Sequence, residues 1–226
     1  MNRFHTSKQQ IYTNGLFLLM VLLCVGSIAC GDSEKCAVTY DIQQGDVFLD
    51  QGNYEDALNH YNKAIKCDPT IFTAYLSRAE IYMKTENYEL ALTDYNKVIE
   101  LNPFNPDAYV NRAAIYTYQE NYSKAIEEYS LVLKLWPHEA GIVYSGRGVA
   151  YFMSNEYSLA VNDLTAAIDV YPNDPYPYYY RGYSYLGLEK NVEAVEDLET
   201  ALSLTNDPEW VELINAKLSE LKDQTH

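Results

Sequence analysis

Four arginines recur along the chain, at Arg78, Arg112, Arg147 and Arg181, and each is followed 16 residues later by an acid, at Asp94, Glu128, Asp163 and Asp197. A guanidinium presents a rigid fork of N–H donors that matches a carboxylate, so the chemistry this spacing offers is charge-assisted pairing. A row of arginines could instead hold an anion, but the matched acids argue for structural ion pairs. Gln44 stands in the same register where no acid follows; His60 takes the acid's place. Other reactive residues form no constellation. The four histidines, at 5, 60, 138 and 226, are scattered, and Cys30 and Cys36 lack zinc spacing. Metal-protease HExxH, Walker-loop and nucleophile-elbow motifs do not occur. Gly146-Arg147-Gly148 is a partial glycine pair with no strand before it. Asn121-Tyr122-Ser123 is a glycosylation sequon, meaningful only in a eukaryotic secretory route. The expectation is a protein without enzymatic activity, metal or cofactor.

The elements that must position the arginines repeat with them. Pro69, Pro103, Pro137 and Pro172 fall 34, 34 and 35 residues apart. With Pro as position 32, the blocks are 38–71, 72–105, 106–139, 141–174 and 175–208, with Ala140 inserted. Position 20 is alanine in every block (Ala57, Ala91, Ala125, Ala160, Ala194), and position 8 is Gly45, Ala79, Ala113, Gly148 and Gly182. Position 4 is Tyr in all blocks but the first, which has Asp41; position 11 is Phe48, Tyr82, Tyr116, Tyr151 and Tyr185. Position 24 is Tyr61, Tyr95, Tyr129, Leu164 and Leu198. Positions 4, 8 and 11 share one helical face, as do 20 and 24, so each block reads as two amphipathic helices with a tight turn near positions 14–15. Small residues at 8 and 20 let the helices approach, large aromatics at 4, 11 and 24 fill the gaps, and the arginine at 7 faces the acid at 23 across the hairpin.

These positions carry the tetratricopeptide signature over 38–208, agreeing in five registers at once. The resemblance implies an all-α, right-handed superhelical solenoid of five helix pairs with a concave face lined by the first helix of each. A helix pair cannot bury its apolar face alone, so stacking supplies the stability. The last block departs, with Asn206 at position 32 and Pro208 after it. Asp207 and Pro208 can open one more helix over 209–222, with Val211, Ile214, Leu218 and Leu221 as its apolar stripe, capping the stack. In the family, positions 2, 5, 9, 12 and 13 face the groove. There the chain places Tyr118, Ile142, Val149, Phe152, Met153, Tyr176, Tyr179 and Tyr183, while the first block offers Asp46 and Asp50. The groove therefore grades from acidic to aromatic, and exposed aromatic and Met patches are hot-spot material for a bound peptide or protein. Alternatives are a small ligand or glycan held by the tyrosines, or a terminal helix that covers Tyr176, Tyr179 and Tyr183 as core. Tetratricopeptide domains that clamp a carboxylate tail use Lys and Asn at positions 5 and 9 of the first block. Ile42 and Asp46 stand there instead, so such a tail would be repelled.

Compartment and charge complete the reading. Residues 1–29 run from a basic start (Arg3, Lys8) through an apolar stretch, Leu16 to Val25, to small residues, which is the layout of a signal peptide. The apolar run is short for a membrane span. Ser27-Ile28-Ala29-Cys30 resembles a bacterial lipobox, with Ser27 where the family usually has Leu. It implies lipid attachment at Cys30, a tether over 30–37, and an exported, membrane-anchored lipoprotein of the bacterial envelope. Ordinary cleavage after Ala29, giving a secreted protein, and an uncleaved anchor are the alternatives. Bacterial tetratricopeptide lipoproteins of this size resemble assembly factors and adaptors for envelope complexes. The formal charge of -16 would repel a polyphosphate backbone, so nucleic acid is excluded as a partner. Cys36 and Cys67 flank the first hairpin, where export permits a disulfide between them; two free thiols are the alternative.

Overall fold

Eleven α-helices account for nearly all of residues 37–223, which are those described by the computed structural model, and no strand occurs among them. The leader over 1–29, the lipid site Cys30 and Cys36 lie outside the described residues. The helices pair as hairpins: α1 (Val38–Asp50) with α2 (Tyr54–Cys67), α3 (Phe72–Lys84) with α4 (Tyr88–Leu101), and α5 (Pro106–Tyr118) with α6 (Tyr122–Leu135). After these come α7 (Ala140–Met153) with α8 (Tyr157–Val170) and α9 (Pro175–Gly187) with α10 (Asn191–Leu204), and the single helix α11 (Pro208–Asp223). A short 3-10 turn at Pro137–Glu139 precedes α7 and takes up the inserted residue. Helices of 13 or 14 residues are marginal alone in water. They persist here because each hairpin packs on the next, as a right-handed solenoid requires.

The turn inside each hairpin is closed the same way five times. Gly52, Glu86, Glu120, Asn155 and Glu189 all adopt a left-handed backbone, with φ between 59° and 73°. The next residue's N–H then returns to the aromatic carbonyl at position 11: Asn53 to Phe48, Asn87 to Tyr82, Asn121 to Tyr116, Glu156 to Tyr151 and Lys190 to Tyr185, at 2.7–2.9 Å. This is the bond pattern that ends a helix on a left-handed residue. Three glutamates hold a conformation that suits glycine, so each such turn stores local strain that the stacked helices must outweigh. The asparagines that follow differ in use. Asn53 accepts from the Asp56 amide, whereas Asn87 and Asn121 make no side-chain cap bond.

Close approach of the paired helices rests on the small residues. All five position-20 alanines are fully buried. A Cβ on Gly45 would lie 2.5 Å from the Tyr61 ring, and one on Gly148 2.7 Å from Leu164. The tyrosines at positions 4 and 11 behave differently from simple gap-fillers. Only Tyr75 among them is buried; the others stay half-buried because they flank the arginine between them. Arg78 lies over Tyr75 and Tyr82, Arg147 over Tyr144 and Tyr151, and Arg181 over Tyr178 and Tyr185, all at 5.5–5.9 Å. Tyr75, Tyr109 and Tyr178 also donate to the carbonyls of Pro69, Pro103 and Pro172, which ties each block to the preceding one at 3.2–3.3 Å.

Each guanidinium joins three helices. Arg78, Arg147 and Arg181 make two parallel bonds to Asp94, Asp163 and Asp197, at 2.7–3.0 Å. The remaining nitrogen reaches back to the second helix of the preceding hairpin: Arg78 to Asn62, Arg112 to Asn96, Arg147 to Ser130 and Arg181 to Thr165. Arg112 departs in one respect. It meets Glu128 through a single bond, which leaves the Arg112 Nε and the other Glu128 oxygen buried without a partner. The hydrogen bond to the acid is the leading cause that holds Arg78 and Arg147 charged beyond their ordinary range; at Arg181 burial is the largest single effect and opposes the charge, but the hydrogen bond to Asp197, the Asp197 charge and the flanking Tyr178 and Tyr185 together outweigh it. The first hairpin, without an arginine, has its own version: His60 Nδ1 lies 2.9 Å from Asp41, and its ring stacks on Phe48 at 5.5 Å. Asp41, where tyrosine is expected, is thus the partner of the histidine. Cys67, at the end of α2, is disulfide-bonded.

The terminal helix closes the stack. Asp207 Oδ1 accepts from the Glu209 amide at 2.9 Å, and Ile214, Leu218 and Leu221 are buried against Leu198 and Ala201 of α10. No helix among the described residues is long and apolar enough to cross a membrane.

Removing one member of a bidentate pair strands a buried charge, so Arg147→Ala is expected to cost about 3–5 kcal/mol. In a double-mutant cycle with Asp163→Ala, urea unfolding should give a coupling energy above about 1 kcal/mol. The singly bonded Arg112–Glu128 pair should couple more weakly. Additive losses at Arg147 and Asp163 would refute the pairing as a source of stability.

Candidate functional site

The eight groove residues read from the sequence fall into three places. Tyr118, Val149, Met153 and Tyr176 line one cavity of about 330 Å³ between α5, α7 and α9. Ile142, 61% exposed, borders a separate depression with Asp107, Val110 and Asn111. Phe152, Tyr179 and Tyr183 belong to an aromatic cluster. Phe152 lies 5.5 Å from Tyr180 and 6.4 Å from Tyr183, and Tyr179 lies 4.8 Å from Tyr183. Trp210 of α11 rests on this cluster, 4.8 Å from Tyr179 and 5.8 Å from Tyr176. The terminal helix therefore covers part of the aromatic surface: Tyr179 and Tyr183 pack against the apolar cluster that α10 and α11 form together. The covering stops at the cavity, where Tyr118 remains 67% exposed and Tyr176 37%.

Several residues complete the cavity that spacing alone did not nominate. Tyr122, Tyr129, Tyr180, Gly146, Thr117 and Glu120 join its wall. Gly146 makes the space: a Cβ there would lie 2.6 Å from the Tyr129 ring. The other blocks carry Gln43, Ser77, Asn111 and Tyr180 at the same position, so the smallest residue at position 6 was a signal that an opening lies there. Tyr118 stacks on Tyr88 of α4 at 5.5 Å and 13°, which fixes its orientation at the rim. Tyr176 meets Tyr180 at 4.7 Å.

Burial raises the pKa of the phenols of Tyr176 and Tyr180. Burial raises the pKa of Tyr129, with a hydrogen bond from Thr117 opposing the shift. Burial, then the charge and hydrogen bond of Tyr183, push Tyr179 up to about 12. The lining thus consists of apolar ring faces, hydroxyls and one carboxylate, Glu120. Such a chamber admits an apolar or aromatic side chain with a hydrogen-bonding edge.

Toward the N-terminal hairpins the groove changes character. Tyr61 donates to Asp46 at 2.8 Å. Glu80 of α3 is held above its ordinary value by burial, opposed by Lys84 and reinforced by Asp107 and Asp46. No group of three or more His, Cys, Asp or Glu residues among the described residues could hold a metal ion.

Comparison with known proteins bears on the whole stack. The TPR repeat profile matches residues 45–86 and 79–117, and tetratricopeptide-repeat profiles match 106–138 and 145–209. Among solved structures, MamA from Desulfovibrio magneticus RS-1 superposes with a TM-score of 0.68 at 18% identity, over 74% of this chain and 94% of that one. PilW, described as a type IV pilus biogenesis factor, gives 0.73 at 16% identity, over 82% and 86%. YrrB, described as having an unusual peptide-binding site, gives 0.63 at 20% identity, over 80% and 97%. No curated protein sequence matches the chain. At these identities the likeness is one of fold.

The burial of Glu80 gives a pH signature. Its folded pKa is raised, so the ionised form is penalised in the folded state. The wild type should lose stability as the pH rises from the ordinary carboxylate value of 4.5 through the raised one. Glu80→Gln is expected to stabilise the fold at pH 7 and to show a smaller gain at pH 4, measured by urea unfolding at both. An equal effect at the two pH values would show that the carboxylate titrates normally.

Proposed function

Since the chain belongs to the tetratricopeptide-repeat family, we propose that it is a non-catalytic scaffold that grips a partner protein in its concave groove and is tethered to the extracytoplasmic face of a membrane by lipid at Cys30. The cavity of about 330 Å³ beside Tyr118 and Met153 carries the first half of this reading. It is an open, largely aromatic recess with one carboxylate, Glu120, in its wall, of a size for one large apolar side chain from an extended or helical segment. A solenoid of this kind offers a long contact surface along its stacked hairpins. Supporting the second half is the order of basic, apolar and small residues before Cys30.

The tyrosine-rich lining also suits a sugar ring, which keeps a glycan or small ligand as the second reading. Crosslinked pull-down of the full-length protein separates the two. Tyr118→Ala with Met153→Ala should weaken capture of a protein partner by about 2 kcal/mol or more, roughly thirtyfold, while the thermal unfolding profile stays intact. Unchanged capture would reject the cavity as the grip. Saccharide binding lost with Tyr180→Ala would favour the rival.

Mass spectrometry of the mature protein tests the tether. Mass consistent with a diacylated Cys30 as the first residue is expected. A free Cys30 amine or an intact Met1 would overturn it.

A further inference from the structure

Tyrosine, arginine and an acid recur together in this fold. Arg78 lies over Tyr75 and Tyr82, Arg147 over Tyr144 and Tyr151, and Arg181 over Tyr178 and Tyr185. An aspartate accepts from each of these guanidinium groups. The rings offer negative faces to the cation, and the carboxylate takes the N–H donors of its fork. The cavity between α5, α7 and α9 repeats two of the three components. Tyr118, Tyr122, Tyr129, Tyr176 and Tyr180 line it together with Glu120, and no lysine or arginine is among its lining residues. Lys124, the cation nearest to Glu120 in sequence, lies over the ring of Tyr116, outside the lining, at 5.2 Å.

The geometry of the wall suits a planar cation. Tyr88 covers one face of the Tyr118 ring, at 5.5 Å and 13°, and Tyr118 is 67% exposed, which leaves its opposite face for a ligand. Tyr176 and Tyr180 meet at 4.7 Å with their planes inclined by 58°, so they form a corner and not a flat stack. Gly146 keeps the space open, since a Cβ there would lie 2.7 Å from the Tyr129 hydroxyl oxygen. Glu120 is exposed in the turn after α5, and its carboxylate is in no ion pair among the described residues. A purely apolar side chain would fill this volume and leave the carboxylate unanswered, while an anion would be repelled by it. Lysine would bring charge as a compact ammonium without a plane to lay on a ring. Arginine combines an apolar stem, a flat head that stacks on aromatic faces, and edge donors that reach hydroxyl and carboxylate oxygens.

We propose that the side chain seated in this cavity is an arginine of the partner polypeptide, its guanidinium stacked on the bare face of Tyr118 and donating to Glu120 and to phenolic oxygens of the wall. The proposal rests on the reading of the concave face as a protein-binding site and names the anchor that the site takes. It reproduces between two chains the contact that Arg78, Arg147 and Arg181 make within one. The formal charge of -16 draws a basic segment from a distance, and the cavity then selects among its cations by shape. Charge complementarity of this kind fixes register and orientation more than it adds affinity.

A phage-displayed library of random peptides, selected on the full-length chain in nonionic detergent and then depleted on the Tyr118→Ala, Met153→Ala variant, tests it. Peptides that survive depletion depend on the cavity, and they should share an arginine. In a synthetic copy of one such peptide, citrulline in place of that arginine keeps the shape and removes the charge, and should weaken binding about tenfold. Lysine in its place keeps the charge and removes the plane, and should weaken binding about threefold. Glu120→Gln and Tyr118→Leu should each weaken the arginine peptide about fivefold, and Glu120→Gln should leave the citrulline peptide unaffected. Glu86→Gln and Glu189→Gln, at the same turn position of other hairpins and outside the cavity, should change neither, which separates a local site from the overall acidity. Circular dichroism melting checks folding, and the exchanges made on the peptide keep the test open if a variant unfolds. Cavity-dependent peptides without arginine, binding that citrulline or lysine does not weaken, or an arginine preference unchanged by Glu120→Gln and Tyr118→Leu, would overturn the proposal while leaving the groove reading intact. Failure to enrich any cavity-dependent peptide would overturn both.

Discussion

One guanidinium shared among three helices is the interaction on which the stack depends. Close packing at the small residues holds helix pairs together, but it is apolar and tolerant of sliding. The arginines remove that freedom. Arg147 spans α7 and α8 through Asp163 and reaches α6 through Ser130, so a shift of one hairpin against the next would break geometry as well as contact. Buried ion pairs contribute little net energy once desolvation is counted, yet breaking one is expensive. Their value here is in register: four bridges, three of them bidentate, repeat the same relation between neighbours, and a solenoid built from nearest-neighbour interfaces inherits its curvature from that relation. The flanking tyrosines shield the charges and join the same constraint, since Tyr75, Tyr109 and Tyr178 bond back to the preceding block.

Repetition made much of this legible. The alanine at position 20 and the alternation of small and aromatic positions identify paired helices because the same residue type answers the same packing need five times. The arginines and the acids 16 residues on could be matched for the same reason. Features that vary from block to block were hidden. The third partner of each arginine is Asn62, Asn96, Ser130 or Thr165, four polar residues with no common type. Asp41 looked like a defect in the signature, because its compensation by His60 reverses which helix carries the acid. The cavity was hidden for a related reason. Periodicity assigns Tyr129 to the core, and its ring is buried there, but it also reaches the groove through the gap left by Gly146. A one-dimensional pattern records which face a residue leaves from and not how far it extends.

The end of the chain sets the limits of the groove. Trp210 lies over Tyr176 and Tyr179, and the apolar cluster that α11 forms with α10 takes Tyr179 and Tyr183 into its packing. A capping helix must bury the last exposed hairpin, and in doing so it takes part of the surface that would otherwise bind. What remains open is bounded by Tyr118, stacked on Tyr88, and by the edge of Tyr176. The same aromatic residues thus serve two masters. Those nearest α11 stabilise the terminus, and those one hairpin away stay available.

Position 24 explains why the groove is not uniform along its length. Tyrosine there gives the first three hairpins a hydroxyl near the concave side, and leucine gives the last two none. A hydroxyl at that depth has to find a partner, and the three tyrosines differ: Tyr61 meets an acid, Tyr129 meets Thr117 in the cavity wall, and Tyr95 has none. Asp46 settles the first by accepting the hydrogen bond from the Tyr61 hydroxyl. Glu80 occupies the same register one block on, yet it is engaged with burial and with Lys84 and makes no bond to the Tyr95 hydroxyl. Stability alone would favour phenylalanine at such a site, since an apolar ring would fill the same space without an orphaned donor.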